Sequence, residues 1–497
     1  MFRYIAHIRH IIAALSLALF SVSVIQGADQ DLFDVFNLEI EGDIYGYITA
    51  DIDGDRLQDI AVIYSPYSDL ASRYIGLFLQ KPTGFNRRAD YLASLPKSAV
   101  QINAYDINQD EKAEIVIIDS EGVGVVTFNK NTGFSAANRI IRQKSIFAFP
   151  IAYGILTELF MFEINDRPGP EIIIPTAKGY VIYEKDETRD YKILNQLSVP
   201  ISCRNTDKGL QEFSGRKNHD LQISLAGIHV LDGNLDGLND LYFLWDKKLC
   251  VFFQDSTGNF AQTPDNEVDF YAANTRGYFQ SQLIDYNGDR RPDLAVSYTS
   301  GGITNTETKI RLHPADTKGH INPNFTKEIS LSDSHCNLIL NDYDGDNRLE
   351  MVIPAIEIGS LAATKMLLMK KADLHLLIYP FENGLPSDEP SERLKYEFRF
   401  NFDDPLPTGE IIMDWSSDYN GDSQFDMIFS DGNGKIKFYW GKSKGYLSEK
   451  PDLEVSLEHA LGIRPIRLSD ASLSDVIIEH CMTGRIDRLT VLKNKNN

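Results

Sequence analysis

An all-β chain of eight repeated four-stranded units is what this sequence predicts, on three observations. A short acidic loop, first seen as Asp51-Ile52-Asp53-Gly54-Asp55-Arg56-Leu57-Gln58-Asp59, recurs along the whole chain. Each copy is followed at once by an apolar run, here Ile60-Ala61-Val62-Ile63-Tyr64. A second, turn-like marker of Gly followed by an aromatic residue runs in phase with the first. Short strands bounded by turn residues on a period near 50 are the signature of a β-propeller.

The recurrence takes the elements in order. After the loop at 51 come Asp106-Ile107-Asn108-Gln109-Asp110…Glu114, Asp232-Gly233-Asn234-Leu235-Asp236…Asp240, Asp285-Tyr286-Asn287-Gly288-Asp289…Asp293, Asp342-Tyr343-Asp344-Gly345-Asp346…Glu350 and Asp418-Tyr419-Asn420-Gly421-Asp422…Asp426. Oxygen-bearing side chains stand at positions 1, 3, 5 and 9 every time. Asn at 3 and Glu at 9 keep the oxygen, so the substitutions preserve ligand chemistry for a hard cation. Two copies are degraded. In Glu163-Ile164-Asn165-Asp166-Arg167-Pro168-Gly169-Pro170-Glu171 a guanidinium at position 5 opposes a cation, which predicts a plain turn. Asp470-Ala471-Ser472-Leu473-Ser474-Asp475 reads as too short for the loop.

The first acidic residues, at 51, 106, 163, 232, 285, 342, 418 and 470, lie 55, 57, 69, 53, 57, 76 and 52 apart. The longer intervals are insertions. Gly-aromatic turns follow at Thr83-Gly84-Phe85, Thr132-Gly133-Phe134, Gly258-Asn259-Phe260 and Lys444-Gly445-Tyr446, and strand-like runs such as Tyr74–Leu79 and Lys435–Trp440 lie between the markers. Each unit reads as strand A, acidic loop, strand B, strand C, Gly-aromatic turn, strand D. The last unit ends after a strand C near 488–492, and the N-terminal run 33–40 is placed to supply its outer strand and close the ring. The expectation is eight blades closed this way, with seven as the alternative.

The remaining composition bounds the function. The chain has 497 residues and a formal charge of −22, which gives no electrostatic case for nucleic acid or anionic lipid. Arg3 and Arg9 precede an apolar segment from Ile11 to Ile25, then Gln26-Gly27-Ala28, a pattern that reads as a secretory signal over 1–27 with the propeller over 28–497. This places the protein outside the cytoplasm, whether secreted, periplasmic or at the cell surface, and nothing later is long enough to span a bilayer. Cys203, Cys250, Cys336 and Cys481 are too scattered for a metal site and allow up to two disulfides in three pairings.

Six loops of the form D-x-[DN]-x-D-x-x-x-[DE], each before a strand, resemble the FG-GAP or VCBS repeats of integrin α-subunit heads and of many exported bacterial proteins. The likeness covers essentially everything after the leader. It implies that the loops hold calcium between strands A and B, with a backbone carbonyl at position 7. The ligands so implied are Asp51, Asp53, Asp55, Asp59, Asp106, Asn108, Asp110, Glu114, Asp232, Asn234, Asp236, Asp240, Asp285, Asn287, Asp289, Asp293, Asp342, Asp344, Asp346, Glu350, Asp418, Asn420, Asp422 and Asp426. The calcium would be structural.

Insertions at 201–225, 299–308 and 355–373 fall on the face away from those loops. The last reads as an amphipathic helix near 359–372, with Leu361, Met366, Leu367 and Met369 among Lys365, Lys370 and Lys371. They suggest a ligand surface, with Tyr64, Tyr67 and Tyr74, or else a plug for the central channel. The sequence holds no nucleophile elbow, zinc helix, P-loop or dinucleotide fingerprint. The expected function is a monomeric, non-catalytic binding or scaffolding module for a glycan or protein. The alternative is a polysaccharide lyase on the same scaffold, since some lyases resemble propellers of this loop type.

Overall fold

The computed structural model describes residues 24–27, 32–70, 72–147, 155–207, 219–272, 274–302, 305–357, 360–399, 413–432, 434–443, 446–469, 473–482 and 485–496. Most of the leader segment, Lys444-Gly445 and residues 470–472 therefore lie outside the described residues, as does part of each of the three insertions.

Among the described residues, antiparallel sheets built on four strands follow one another along the chain. In unit 2 they are Gln101–Tyr105, Glu114–Asp119, Gly122–Val126 and Asn138–Arg142, hydrogen-bonded in sequence order. Units 3, 4 and 5 repeat this order from Met161–Phe162, Gly227–Leu231 and Tyr278–Ile284. Unit 6 begins with two short pieces, Ser334–Cys336 and Ile339–Asn341, both paired with Glu350–Glu357. Unit 7 carries a fifth strand, because Val24–Gly27 pairs with its outer strand Leu453–Ser456. Cleavage at Gly27 would release that strand.

The first and last units share one 18-residue strand, Phe33–Ala50. Its first part runs from Phe33 opposite Asn494 to Glu39 opposite Arg488, completing the sheet of Ala460–Ile466, Asp475–Met482 and Arg485–Asn494. Its second part pairs from Gly42 with Pro66 to Ala50 with Asp59, opening the sheet that continues through Arg73–Phe78 and Tyr91–Leu95. A register shift between Glu39 and Ile44 marks the handover. One strand thus belongs to both ends of the chain.

The unbroken apolar runs after each loop have a packing reason. Successive side chains on a strand point to opposite faces. Ile60 and Val62 enter a cluster shared with Leu468, Ile477, Leu489 and Val491 of the last unit, while Ala61 and Ile63 enter one shared with Ile102, Ile115 and Ile117 of unit 2. Both faces are buried, so both sets must be apolar. The same alternation sends Ile172 and Ile174 toward unit 2 and Ile173 toward unit 4. Among the described residues there are eight such clusters, each made by two successive units, and one of them joins the last unit to the first.

Antiparallel order puts the A–B and C–D connections of a unit at one end of its sheet and the B–C connection at the other. The α-helix Ser360–Met369 is a B–C connection. Among the described residues no helix is long and apolar enough to cross a membrane.

Leu38 is fully buried between the last and first units. Leu38→Ala is expected to lower the unfolding free energy by about 2–5 kcal/mol in a denaturant titration. Leu92→Ala, at an exposed position, should change it by no more than about 0.5 kcal/mol.

Candidate metal-binding loops

The six intact loops share one backbone conformation. Positions 4 and 6 are left-handed in all of them: Gly54 and Arg56 (φ 83° and 69°), Gln109 and Glu111 (64° and 66°), Leu235 and Gly237 (63° and 86°), Gly288 and Arg290 (81° and 69°), Gly345 and Asn347 (75° and 65°), and Gly421 and Ser423 (86° and 67°). A non-glycine residue in that region costs about 1 kcal/mol or more, so something must hold the turn. The position 1 carboxylate does much of this. Asp51 accepts the backbone N–H of Gly54 (2.7 Å) and Asp55 (3.1 Å) on Oδ1 and that of Arg56 (2.7 Å) on Oδ2. Asp106, Asp232, Asp285, Asp342 and Asp418 also accept the position 6 N–H, and with it that of position 4, position 5 or both. Position 5 accepts the N–H of position 7 in each, as Asp55 does from Leu57 at 3.0 Å.

Position 9 behaves differently. Asp59, Glu114, Glu171, Asp240, Asp293, Glu350, Asp426 and Asp475 each begin a strand B and are buried. Every one accepts the backbone N–H of position 2: Ile52 (3.1 Å), Ile107 (3.1 Å), Ile164 (2.8 Å), Gly233 (2.8 Å), Tyr286 (3.2 Å), Tyr343 (2.8 Å), Tyr419 (2.7 Å) and Leu468 (2.9 Å). Where the residue is Asp, its other oxygen takes an N–H at or just beyond the end of strand C, from Gln80 (2.9 Å), Gln254 (2.9 Å), Ala315 (2.7 Å), Gly441 (2.8 Å) or Asn494 (2.7 Å). Where it is Asp, this carboxylate clamps strands A, B and C of its own unit, and where it is Glu, it holds the loop onto strand B. The clamp persists in the two degraded units, so it does not require the other cation ligands.

It also resets the eighth copy. With Asp475 at position 9 and Leu468 at position 2, position 1 is Arg467, and the loop has its full nine residues. The interval from 418 is 49, not 52. Unit 8 is in register, with a guanidinium in place of the first carboxylate. In unit 3, Arg167 turns away from a cation role and pairs with Glu184, and positions 4 and 6 are not left-handed there.

Whether the loops suit a cation can be read from the free oxygens. Asp51, Asp53 and Asp59 offer one oxygen each within 4.8 Å of one another, and so do Asp342, Asp344 and Glu350. Among the described residues these are the two loops that gather three carboxylates so closely. A carboxylate has about four lone-pair sites, so Asp51 keeps capacity after three N–H bonds. Neighbouring units already bring positive charge: Lys130 of unit 2 lies 2.7 Å from the buried Asp53 carboxylate, and Lys185 of unit 3 donates to the Ile107 carbonyl beside Glu114. Sequence reading missed these lysines, although Lys130 stands just before the Thr132-Gly133-Phe134 turn. The donor set fits a hard cation best in loops 1 and 6, and in loop 1 the ion would compete with Lys130.

The other candidates fall out as follows. Tyr64 is buried against Tyr74 (ring centroids 5.9 Å apart), leaving Tyr67 exposed. At 299–308, a B–C connection, Thr299 pairs with Thr308 and Ser300 with Glu307, so the strands run further into the segment than the sequence suggests. Among its described residues, the C-terminal half of the helix turns Leu367, Leu368 and Met369 outward. Leu367 and Leu368 are 68% and 80% exposed and, among the described residues, Met366 packs against the core, while the side chain of Leu361 lies outside them. Part of the 201–225 insertion is a hairpin of Ser202–Asp207 with His219–Ser224. Cys250 and Cys336 are free and buried, which removes the pairings that include them, and burial pushes both thiols up to about 12.

No protein-family model matches the chain, and no curated protein matches it. Among solved structures, it is similar to an Agrocybe aegerita lectin that recognises non-reducing terminal N-acetylglucosamine (12% identity, 76% of this chain and 94% of that one, TM-score 0.39). It is similar to a chain of the BBS1N complex with ARL6DN (11%, 80% and 94%, 0.36) and to the V. cholerae biofilm matrix protein Bap1 (10%, 95% and 90%, 0.40).

Two outcomes test the clamp. Asp475→Ala strands two buried N–H groups and is expected to cost about 2–4 kcal/mol, equally with calcium and with chelator, by denaturant titration. Burial is the main cause that raises the carboxyls of Asp59, Glu114, Glu171, Asp293, Glu350 and Asp426 to about 7 and Asp240 to about 6. Their unfolded values lie near 4, so between about pH 4 and 7 the folded chain binds more protons. Without a cation, stability should therefore fall as pH rises through that window. Melting in chelator at pH 5 and at pH 8 checks it: the midpoint should be lower at pH 8.

Proposed function

We propose that the chain is an exported, calcium-stabilised, eight-bladed propeller of the FG-GAP or VCBS type, serving as a non-catalytic binding module for a glycan or protein ligand. The observation that carries the reading is one loop conformation recurring in six units, with side-chain oxygens at the same positions each time. Eight sheets in series, eight cores each shared by two units, and a strand common to the first and last sheets support a closed ring. Closure removes the two open faces that a linear stack would leave exposed.

Calcium in this reading is structural. Each loop draws three or four side-chain oxygens into a turn that already carries left-handed residues, and a divalent ion offsets their mutual repulsion. Ion binding to the folded state alone adds stability through mass action. Asp51, Asp53 and Asp59 in loop 1, and Asp342, Asp344 and Glu350 in loop 6, would hold it most closely. The ligand surface belongs elsewhere, where exposed side chains and insertions vary from unit to unit while the scaffold repeats.

The test uses the full secreted chain. Chelation is expected to lower the melting temperature by several degrees, and an unchanged melt would argue against calcium. Asp344→Ala should abolish part of that calcium response and leave the fold intact. On glycan and protein arrays, capture should persist with calcium and weaken with chelator. Unsaturated sugar released from a polyuronate would replace the non-catalytic reading with the lyase alternative.

A further inference from the structure

Between units 6 and 7 lies a groove of about 390 Å3, within the range of roughly 300–1,000 Å3 typical of small-ligand sites. Its walls are the strands Glu392–Arg399 and Lys435–Tyr439. On a chain with formal charge −22, four cations meet here: Lys371, Lys395, Arg399 and Lys437. The buried rings of Tyr396 and Tyr439 meet edge to face, with centroids 5.0 Å apart, and also line the groove.

The cations are not equivalent. Lys371 is paired with Glu397, Lys395 with Asp373 (3.1 Å) and Lys437 with Asp431 (3.1 Å). Arg399 makes no ion pair among the described residues, and its side chain is exposed. Its backbone is nonetheless fixed, because its N–H donates to the Asp431 carbonyl at 2.8 Å. The turn beyond closes tightly on it. A Cβ on Gly432 would stand 1.7 Å from the Arg399 carbonyl oxygen, and Gly432 has φ 65°. A rigid strand end thus presents one uncommitted guanidinium beside three lysine–carboxylate pairs.

We infer that this groove binds an acidic sugar, a hexuronate unit whose carboxylate is taken by Arg399. The inference rests on the binding-module reading and gives it a site and a ligand class. A guanidinium fork matches a carboxylate in two parallel hydrogen bonds, which an ammonium does not do. The lysine–carboxylate pairs present donors and acceptors side by side, which suits ring hydroxyls. The same carboxylates disfavour an acidic peptide, whose several charges would meet Glu397, Asp431 and Glu449.

Calorimetry on the full chain in calcium, with a trigalacturonate probe and its methyl ester, tests this. The acid should bind at least about tenfold more tightly than the neutral ester, one charge-assisted contact being worth about that factor. Arg399→Ala should lose the same factor with an unchanged melt, and Arg399→Lys should recover only part of it. Equal binding of acid and ester, indifference to Arg399→Ala, or equally tight Arg399-dependent binding of polyglutamate would each overturn the inference. If trigalacturonate fails while the arrays capture another ligand, the groove assignment falls and the binding-module reading stands. Capture of nothing on any surface overturns both.

Discussion

The buried carboxylate at position 9 is the interaction on which each repeat depends. It sits at the first residue of strand B, accepts the loop's second N–H and, where it is Asp, an N–H past strand C. Both N–H groups belong to buried residues such as Ile52 and Gln80, so removing the acceptor leaves them unpaired at a cost of about 1–3 kcal/mol each. The eight-fold persistence of this contact, against six-fold persistence of the cation pattern, separates two roles that share one motif. Position 9 builds the unit. Positions 1, 3 and 5 shape the turn and, in the calcium reading, face the ion.

That division explains why the degraded units fold like the others. Unit 3 has lost the carboxylate at position 5 and the left-handed residues at positions 4 and 6, and unit 8 has Arg467 at position 1. Both retain Glu171 or Asp475 and the flanking apolar strands. The cores then depend on neighbours, because a sheet apolar on both faces cannot cover either face by itself. Stability is accordingly a sum of interfaces between units, and the interface of the last unit with the first is made possible by the strand Phe33–Ala50.

Electrostatics follow the same geometry. A chain this acidic gathers carboxylates at one end of its units and partly answers them with lysines from the next unit, as Lys130 does at Asp53. Between units 6 and 7 the lysines are likewise paired with carboxylates, and Arg399 stands beside them without an ion pair among the described residues. Differences of this kind, set on a repeated scaffold, are where recognition can be built.

The sequence alone placed the six intact loops before their strands B and the N-terminal run 33–40 beside the last unit, because these rest on period, composition and turn chemistry, all of which are local. It also told six chemically complete loops from two that are not. Only the tertiary structure decided that position 9 is a clamp shared by all eight units, that the last loop starts at 467, and that Leu367 and Leu368 face outward. It alone brought Lys130 to Asp53 and Arg399 beside Lys437. Those facts depend on which units pack side by side, and a contact between residues 77 positions apart, or across the two chain ends, leaves no trace in local pattern.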